Sequence, residues 1–135
     1  MGWSSVPYPS LRATYLAYLD AVNERRFGDL AEFVHDEITY NDTTVIRQEF
    51  ADLLAADAKA VPDLHFEVQL LVNSEDAVAV RLWCDCAPAE PMFGLAPTGR
   101  RVEFAEHGFY RFDHGRIAHV WSLIDNQLIQ AQLAG

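Results

Sequence analysis

The sequence predicts an α+β roll, with N-terminal helices packed on one face of a curved, mostly antiparallel sheet. Three observations carry this. Apolar residues recur at helical spacing up to about residue 60, the period changes to two from Leu64 onward, and the strand-like runs are joined by short turns. With 135 residues, half of them hydrophobic, the chain is expected to form one domain over 1–135 and to bury a core without staples.

Taken in order, Ser10 is placed to cap a helix running to about Arg26, with Leu11, Tyr15, Tyr18, Leu19 and Val22 as its buried stripe. FGDLAEFV starts a short second helix, and Glu37 to Asn41 reads as a short strand. Thr44 is the expected cap of the next helix, whose stripe is Ile46, Phe50, Leu53 and Leu54. Four longer strands follow. In the first, Leu64, Phe66, Val68, Leu70 and Val72 alternate with His65, Glu67 and Gln69. AVAVRLWCDCA is the second, Val102 to Phe112 the third, and Ile117 to Ile124 the fourth after the tight turn DHGR. A Pro- and Gly-rich loop spans Pro88 to Gly99, and NQLIQAQLAG ends as a short helix. A curved sheet closed by helices leaves a pocket at its open end, suited to a small hydrophobic molecule.

Charge and cysteine content narrow the function classes. Twenty Asp and Glu against ten Lys and Arg leave a formal charge of −10, which argues against nucleic acid or an anionic membrane as partner. Cys84 and Cys86 are two apart on a strand, too far for easy bridging, and are expected as free thiols in a reducing compartment. No metal-ligand spacing surrounds them, so neither metal nor other cofactor is expected. The start of the chain lacks the pattern of a secretory leader and no run reaches transmembrane length, so a cytoplasmic location is expected.

The sharpest question lies in the third long strand, where Glu106 and His107 stand side by side among aromatics. Adjacent strand residues face opposite sides, so one of them faces the pocket and the other solvent or a partner. A pocket-facing histidine is a natural acid–base group, and a glutamate on the outer face would pair with Arg81 or Arg101. A pocket-facing glutamate would instead have its pKa lifted by its aromatic neighbours.

Three stretches, MFGLAPTGRRVEF, FYRFDHGRIAHVW and DNQLIQAQLAG, closely resemble the SnoaL-like polyketide cyclase family, and the resemblance runs from about Ala13 to Gly135. It implies the cone-shaped fold of nuclear transport factor 2-like (cystatin-like) proteins, often as a homodimer. It also implies cofactor-independent aldol ring closure of a polyketide by acid–base chemistry. Members of the family use an Asp close after the Trp of the last strand and a His on the strand before. His107 matches the second, whereas Ser122 follows Trp121 and cannot serve as a carboxylate base near neutral pH.

On this reading His107 is the leading catalytic candidate, with Tyr40, Asp42 and Asp85 as helpers. Trp83, Phe93, Leu95, Tyr110, Val120 and Ser122 are candidate substrate-binding residues, Phe93 and Leu95 joining Met92 as a hydrophobic flap over the mouth. Two other readings stand beside it. One is a small-molecule binding protein without chemistry. The other is an isomerase or an epoxide hydrolase, the latter needing an Asp–Arg–Asp cluster for which Asp85, Arg81 and Asp125 are the loose candidates.

Overall fold

The computed structural model describes residues 10–91 and 96–134. Ser10 accepts a hydrogen bond from the Ala13 amide at 3.2 Å, and helix α1 (Leu11–Asn23) follows with Tyr15, Tyr18, Leu19 and Val22 buried. The helix ends before Arg26 because Arg25 turns left-handed, with φ 61°. The amides of Arg26 and Arg25 then donate back to Ala21 O (2.8 Å) and Val22 O (3.1 Å), which closes the last turn. A 3-10 helix (Phe27–Glu32) leads into strand β1 (Val34–Tyr40).

Thr44 does not cap a helix. Asn41 and Asp42, with φ 47° and 70°, form a two-residue reversal, and the β-branched run behind it pairs with β1 as strand β2 (Thr43–Ile46). Helix α2 (Arg47–Ala60) starts after Ile46, whose amide donates to Glu49 Oε1 at 2.9 Å. Its buried side is Phe50 and Ala51, and Ile46 and Leu53, expected in the stripe, are about half exposed.

The remaining elements are β3 (Glu67–Asn73), β4 (Ala77–Cys86), β5 (Val102–Asp113), β6 (Arg116–Ile124) and α3 (Asn126–Ala134). The six strands form one mixed sheet in the order β2-β1-β6-β5-β4-β3. The β1–β6 pair is parallel and the other pairs are antiparallel. Between β4 and β5 the register runs without a slip from Ala77 opposite Arg111 to Cys86 opposite Val102. Val78, Val80, Leu82, Cys84 and Cys86 therefore face inward together with Val102, Phe104, Tyr110 and Phe112, and all of them are buried. Both cysteines are free, as their shared strand face requires.

In β3 the alternation breaks. Val68 pairs with Leu82 and Leu70 with Arg81, so Gln69 is an extra residue in the strand. The bulge turns Leu70 and Val72, expected in the core, to the outer face, where they are 59% and 56% exposed. Phe109 (58%) and Leu123 (73%) join them there.

Two core clusters result. The larger lies between the sheet, α1 and α2, and the smaller sets Ile129 of α3 against Cys84, Cys86, Val102 and Phe104. Gln132 pins α3 to the sheet, its side-chain amide exchanging two hydrogen bonds with the backbone of Glu103. Asn23 ties the end of α1 to the entry of β3 in the same way, accepting from Phe66 N (2.8 Å) and donating to Phe66 O (3.0 Å).

Replacing Asn23 with Ala leaves both partly buried Phe66 groups unpaired. Urea denaturation is expected to show a loss of about 2 kcal/mol with an unchanged m-value.

Candidate active site

Between α1, α2 and the inner face of the sheet lies a partly enclosed cavity of about 70 Å³. Its walls are mostly apolar, with Leu19, Phe50, Leu54, Phe66, Leu82, Val120 and Ile124 among them. Its polar groups come from five elements. They are Tyr18 of α1, Tyr40 of β1, Asp57 of α2, Glu106 and Tyr110 of β5, and Ser122 of β6. A larger space of about 500 Å³, bounded by Val72, Phe109, Arg111 and Trp121, is an open groove on the outer face, away from the enclosed carboxyls.

Strand parity brings these groups together. Glu106 interrupts the inward series Val102, Phe104, Glu106, Gly108, Tyr110 and Phe112. In the sheet Glu106 pairs with Ile124 and Gly108 with Ser122, so Ser122 is the diagonal neighbour of Glu106 on the same face. Tyr40 pairs with Val120 and so lies diagonal to Ser122 from the other side. Gly108 supplies no side chain between them. A Cβ there would stand 2.8 Å from Tyr110 Cε1, so glycine lets the Tyr110 ring lean across the strand.

Burial raises the proton affinity of the whole set. Burial, and secondly the charge of Asp57, pushes the Glu106 carboxyl up to about 7, while hydrogen bonding to Ser122 pulls it back in part. Burial raises Asp57 above the usual Asp range. Burial first, then the nearby carboxylates, raises Tyr40, and Tyr18 and Tyr110 lie higher still, chiefly through burial. The three phenols are thus neutral donors at any physiological pH, beside a carboxyl that gains and loses a proton near neutrality.

His107 does not occupy the pocket. It is exposed on the outer face, where Arg81 Nη1 donates to its Nε2 at 2.9 Å, and Glu106 holds the inner place. The inversion follows from register, since His107 pairs with Arg81 and Leu123 in the outward row. Asp85 also faces outward, accepting from Arg101 Nε at 2.9 Å, and Trp83 lies on the same face with the Arg81 guanidinium 5.8 Å from its ring centroid. Asp42 is exposed in the β1–β2 turn and accepts from Trp121 Nε1 at 3.0 Å. Asn41 Oδ1 accepts from Ser122 N at 2.8 Å, so the turn is clamped to β6 and holds Tyr40 and Ser122 in place.

Tyr40, Tyr110, Val120 and Ser122 line the cavity. Phe93 and Leu95, with Met92, lie outside the described residues. Arg81, Asp85 and Asp125 do not converge, because Arg81 bonds Gln69 and His107, Asp85 bonds Arg101, and Asp125 accepts from the Leu128 amide. Among the described residues no three His, Cys, Asp or Glu side chains form a metal-holding group. Asp57 went unread in the sequence. Its signal is the stripe Phe50, Leu54 and Asp57 on α2, apolar but for one acid.

Helices packed on one face of a mixed six-stranded sheet, over a cavity that holds a carboxyl, define the nuclear transport factor 2-like fold. The sequence model of the SnoaL-like polyketide cyclases matches residues 12–133, and the chain belongs to that family. Among solved structures it is similar to a SnoaL-like polyketide cyclase from Agrobacterium tumefaciens, at 39% identity and TM-score 0.90, over 93% of this chain and 99% of that one. It is also similar to AclR of Streptomyces galilaeus, a candidate hydroxylase, at 26% identity and TM-score 0.75, over 92% and 95% of the two chains. IdmH of Streptomyces antibioticus, a candidate polyketide cyclase, shares the fold at 23% identity and TM-score 0.83, over 94% and 100%. No curated protein matches the chain significantly. No helix among the described residues is long and apolar enough to cross a membrane.

The raised Glu106 pKa fixes the sign of a stability change. The folded state binds this proton more tightly than the unfolded chain, so the contribution is complete below about 4.5 and is lost as pH rises through about 7. Chemical denaturation at pH 4.5 and pH 8 is expected to show wild type losing up to about 3 kcal/mol relative to Glu106→Gln, which lacks the titration.

Proposed function

We propose that the protein is an acid–base enzyme of the polyketide cyclase type. It moves a proton on a hydrophobic carbonyl compound, and Glu106 is the group that exchanges it. The observation that carries this reading is one carboxyl, enclosed by apolar walls, brought near half-protonation at neutral pH and surrounded by neutral hydroxyl donors. The family resemblance supplies the reaction class, aldol ring closure of a substrate with an acidic C–H between two carbonyls. Ser122 stands where the family resemblance expects an Asp, and its diagonal neighbour Glu106 brings a carboxyl to the same corner from the next strand.

The neutral phenols of Tyr18, Tyr40 and Tyr110 suit an enolate or alkoxide, which needs donors rather than a counter-charge that would also hold the ground state. No Lys, Arg or His is among the described residues lining the cavity, which favours a neutral substrate. The partly enclosed space of about 70 Å³ takes the reacting end of a molecule, so the rest of a larger substrate would extend beyond it.

The test is a product assay by mass spectrometry and NMR on a panel of methyl-ester polyketides with an activated methylene. Wild type is expected to give a cyclised isomer of unchanged mass, and Glu106→Gln to lose at least about 100-fold in rate. His107→Ala is expected to stay within a few-fold of wild type. Substrate bound and recovered intact with wild type would point instead to a binding protein without chemistry.

We infer that a second copy of the chain covers the outer face of the sheet. Leu70, Val72, Phe109 and Leu123 are all more than half exposed there, with the stacked pair His119 and Trp121 beside them. Light scattering after size exclusion is expected to give twice the chain mass, falling to the single mass in Phe109→Glu.

A further inference from the structure

Asp57 has no role in the reading above, yet it is the second carboxyl of the cavity and faces the first from the opposite wall. Helix α2 turns the stripe Phe50, Leu54 and Asp57 toward the sheet, and Glu106 stands on the strand face that this stripe covers. The Asp57 side chain is half-buried and, among the described residues, makes no hydrogen bond or ion pair. Glu106 is more enclosed, and among the described residues no cation lines the cavity with it. An unpaired acid inside an apolar helix stripe is costly. Asp57 also borders a second small space with Arg25, whose guanidinium donates instead to the carbonyls of Asn23, Pro62 and Leu64.

We propose that Asp57 and Glu106 work as a pair across the cavity, Asp57 as the base that takes the C–H proton and Glu106 as the acid that protonates the accepting carbonyl; this rests on the acid–base reading of the cavity.

The proton inventory fits these roles. Facing Glu106 are Tyr15 and Tyr18 from α1, Tyr40 from β1, Asp57 from α2, Cys84 from β4 and Tyr110 from its own strand, while β6 brings the Ser122 hydroxyl. The phenols and the thiol are all raised and remain neutral, which leaves the two carboxyls as the groups that can change charge. Glu106, buried and facing the charge of Asp57, is pushed up to about 7, and Asp57 is raised by burial alone. In the proposed resting pair the one proton is on Glu106.

In the reaction the Asp57 carboxylate takes the proton from the carbon between two carbonyls. That C–H bond breaks, an O–H bond forms, and the electron pair spreads as an enolate. The enolate carbon bonds to the accepting carbonyl carbon, whose π pair becomes an alkoxide and takes the Glu106 proton. Asp57 is then neutral and Glu106 ionised, and passing the one proton back restores the pair. Nothing is consumed, and the product is an isomer of the substrate.

The experiment has two arms on the full chain. Infrared titration with carboxyl-labelled Glu and Asp is expected to show a carboxyl titrating near pH 7 that vanishes in Glu106→Gln. That titration should move down by at least about half a unit in Asp57→Asn, and stay raised in Asp57→Glu, which keeps a charge. An unmoved titration in Asp57→Asn overturns the pair. In the second arm, the rate with the panel substrate that cyclises is followed against pH. Wild type is expected to lose activity as pH rises past about 7, and Asp57→Asn to lose at least about 100-fold in kcat with little change in KM. A wild-type rate that instead rises through pH 7 to a plateau, or full activity in Asp57→Asn, overturns these roles and leaves Glu106 as the acid–base group. Full activity in Glu106→Gln would remove the reading on which they rest.

Discussion

The long ladder between β4 and β5 is the constraint on which the rest of the molecule depends. Ten successive residue pairs run along it without a slip, so every second side chain of both strands is committed to the same face. That commitment builds the core from Val78 to Cys86 and from Val102 to Phe112, and it sends Arg81, Trp83, His107 and Phe109 to the other side. It also decides which member of the Glu106–His107 pair meets the helices. Moving the register by one residue would expose the whole core row, so the choice between the two is made by the energy of the entire ladder and not by either residue.

Where the ladder is interrupted, the interruptions have consequences of their own. The extra residue Gln69 rotates the end of β3, and its two apolar side chains join the outer face. The turn at Asn41 and Asp42 is held to β6 by two side-chain hydrogen bonds, and it fixes the corner where Tyr40 and Ser122 approach Glu106. Five elements thus deliver one polar group or more to a space otherwise walled by hydrocarbon. A carboxyl kept there costs stability whenever it ionises. Placing such a cost at the centre of an otherwise apolar core is the pattern expected of a site selected for reactivity.

Much of this order was legible in the sequence. The change of period near residue 60 marks where helices give way to sheet, and the hairpin at DHGR and the free thiols follow from short-range rules. Adjacency of Glu106 and His107 shows that they part company, but no local rule says which way, because parity is counted from tertiary pairings. Resemblance to relatives pointed to the histidine, since it matched a residue type and not a strand face. Leu70 and Val72 misled for a related reason, as the alternation that includes them is perfect and the bulge beside them leaves no mark in composition. Thr44 read as a helix cap and Ile46 as part of the helix stripe, although four β-branched residues behind an Asn–Asp turn are a strand signal as well. Asp57 was overlooked because the helix stripe was followed through apolar residues alone, and the next position on that face is an acid.

The two thiols have a separate consequence. Cys84 and Cys86 are fully buried beneath α3, and burial, with neighbouring carboxylates, holds both well above the usual thiol range, Cys86 at about 11. In the closed molecule they are shielded from reagents and are scarcely nucleophilic. Alkylation can therefore proceed only when the small core under α3 comes apart, and its rate counts openings. The chain carries its own clock for breathing at the base of the cone, readable in a mass spectrum without any label or engineered probe.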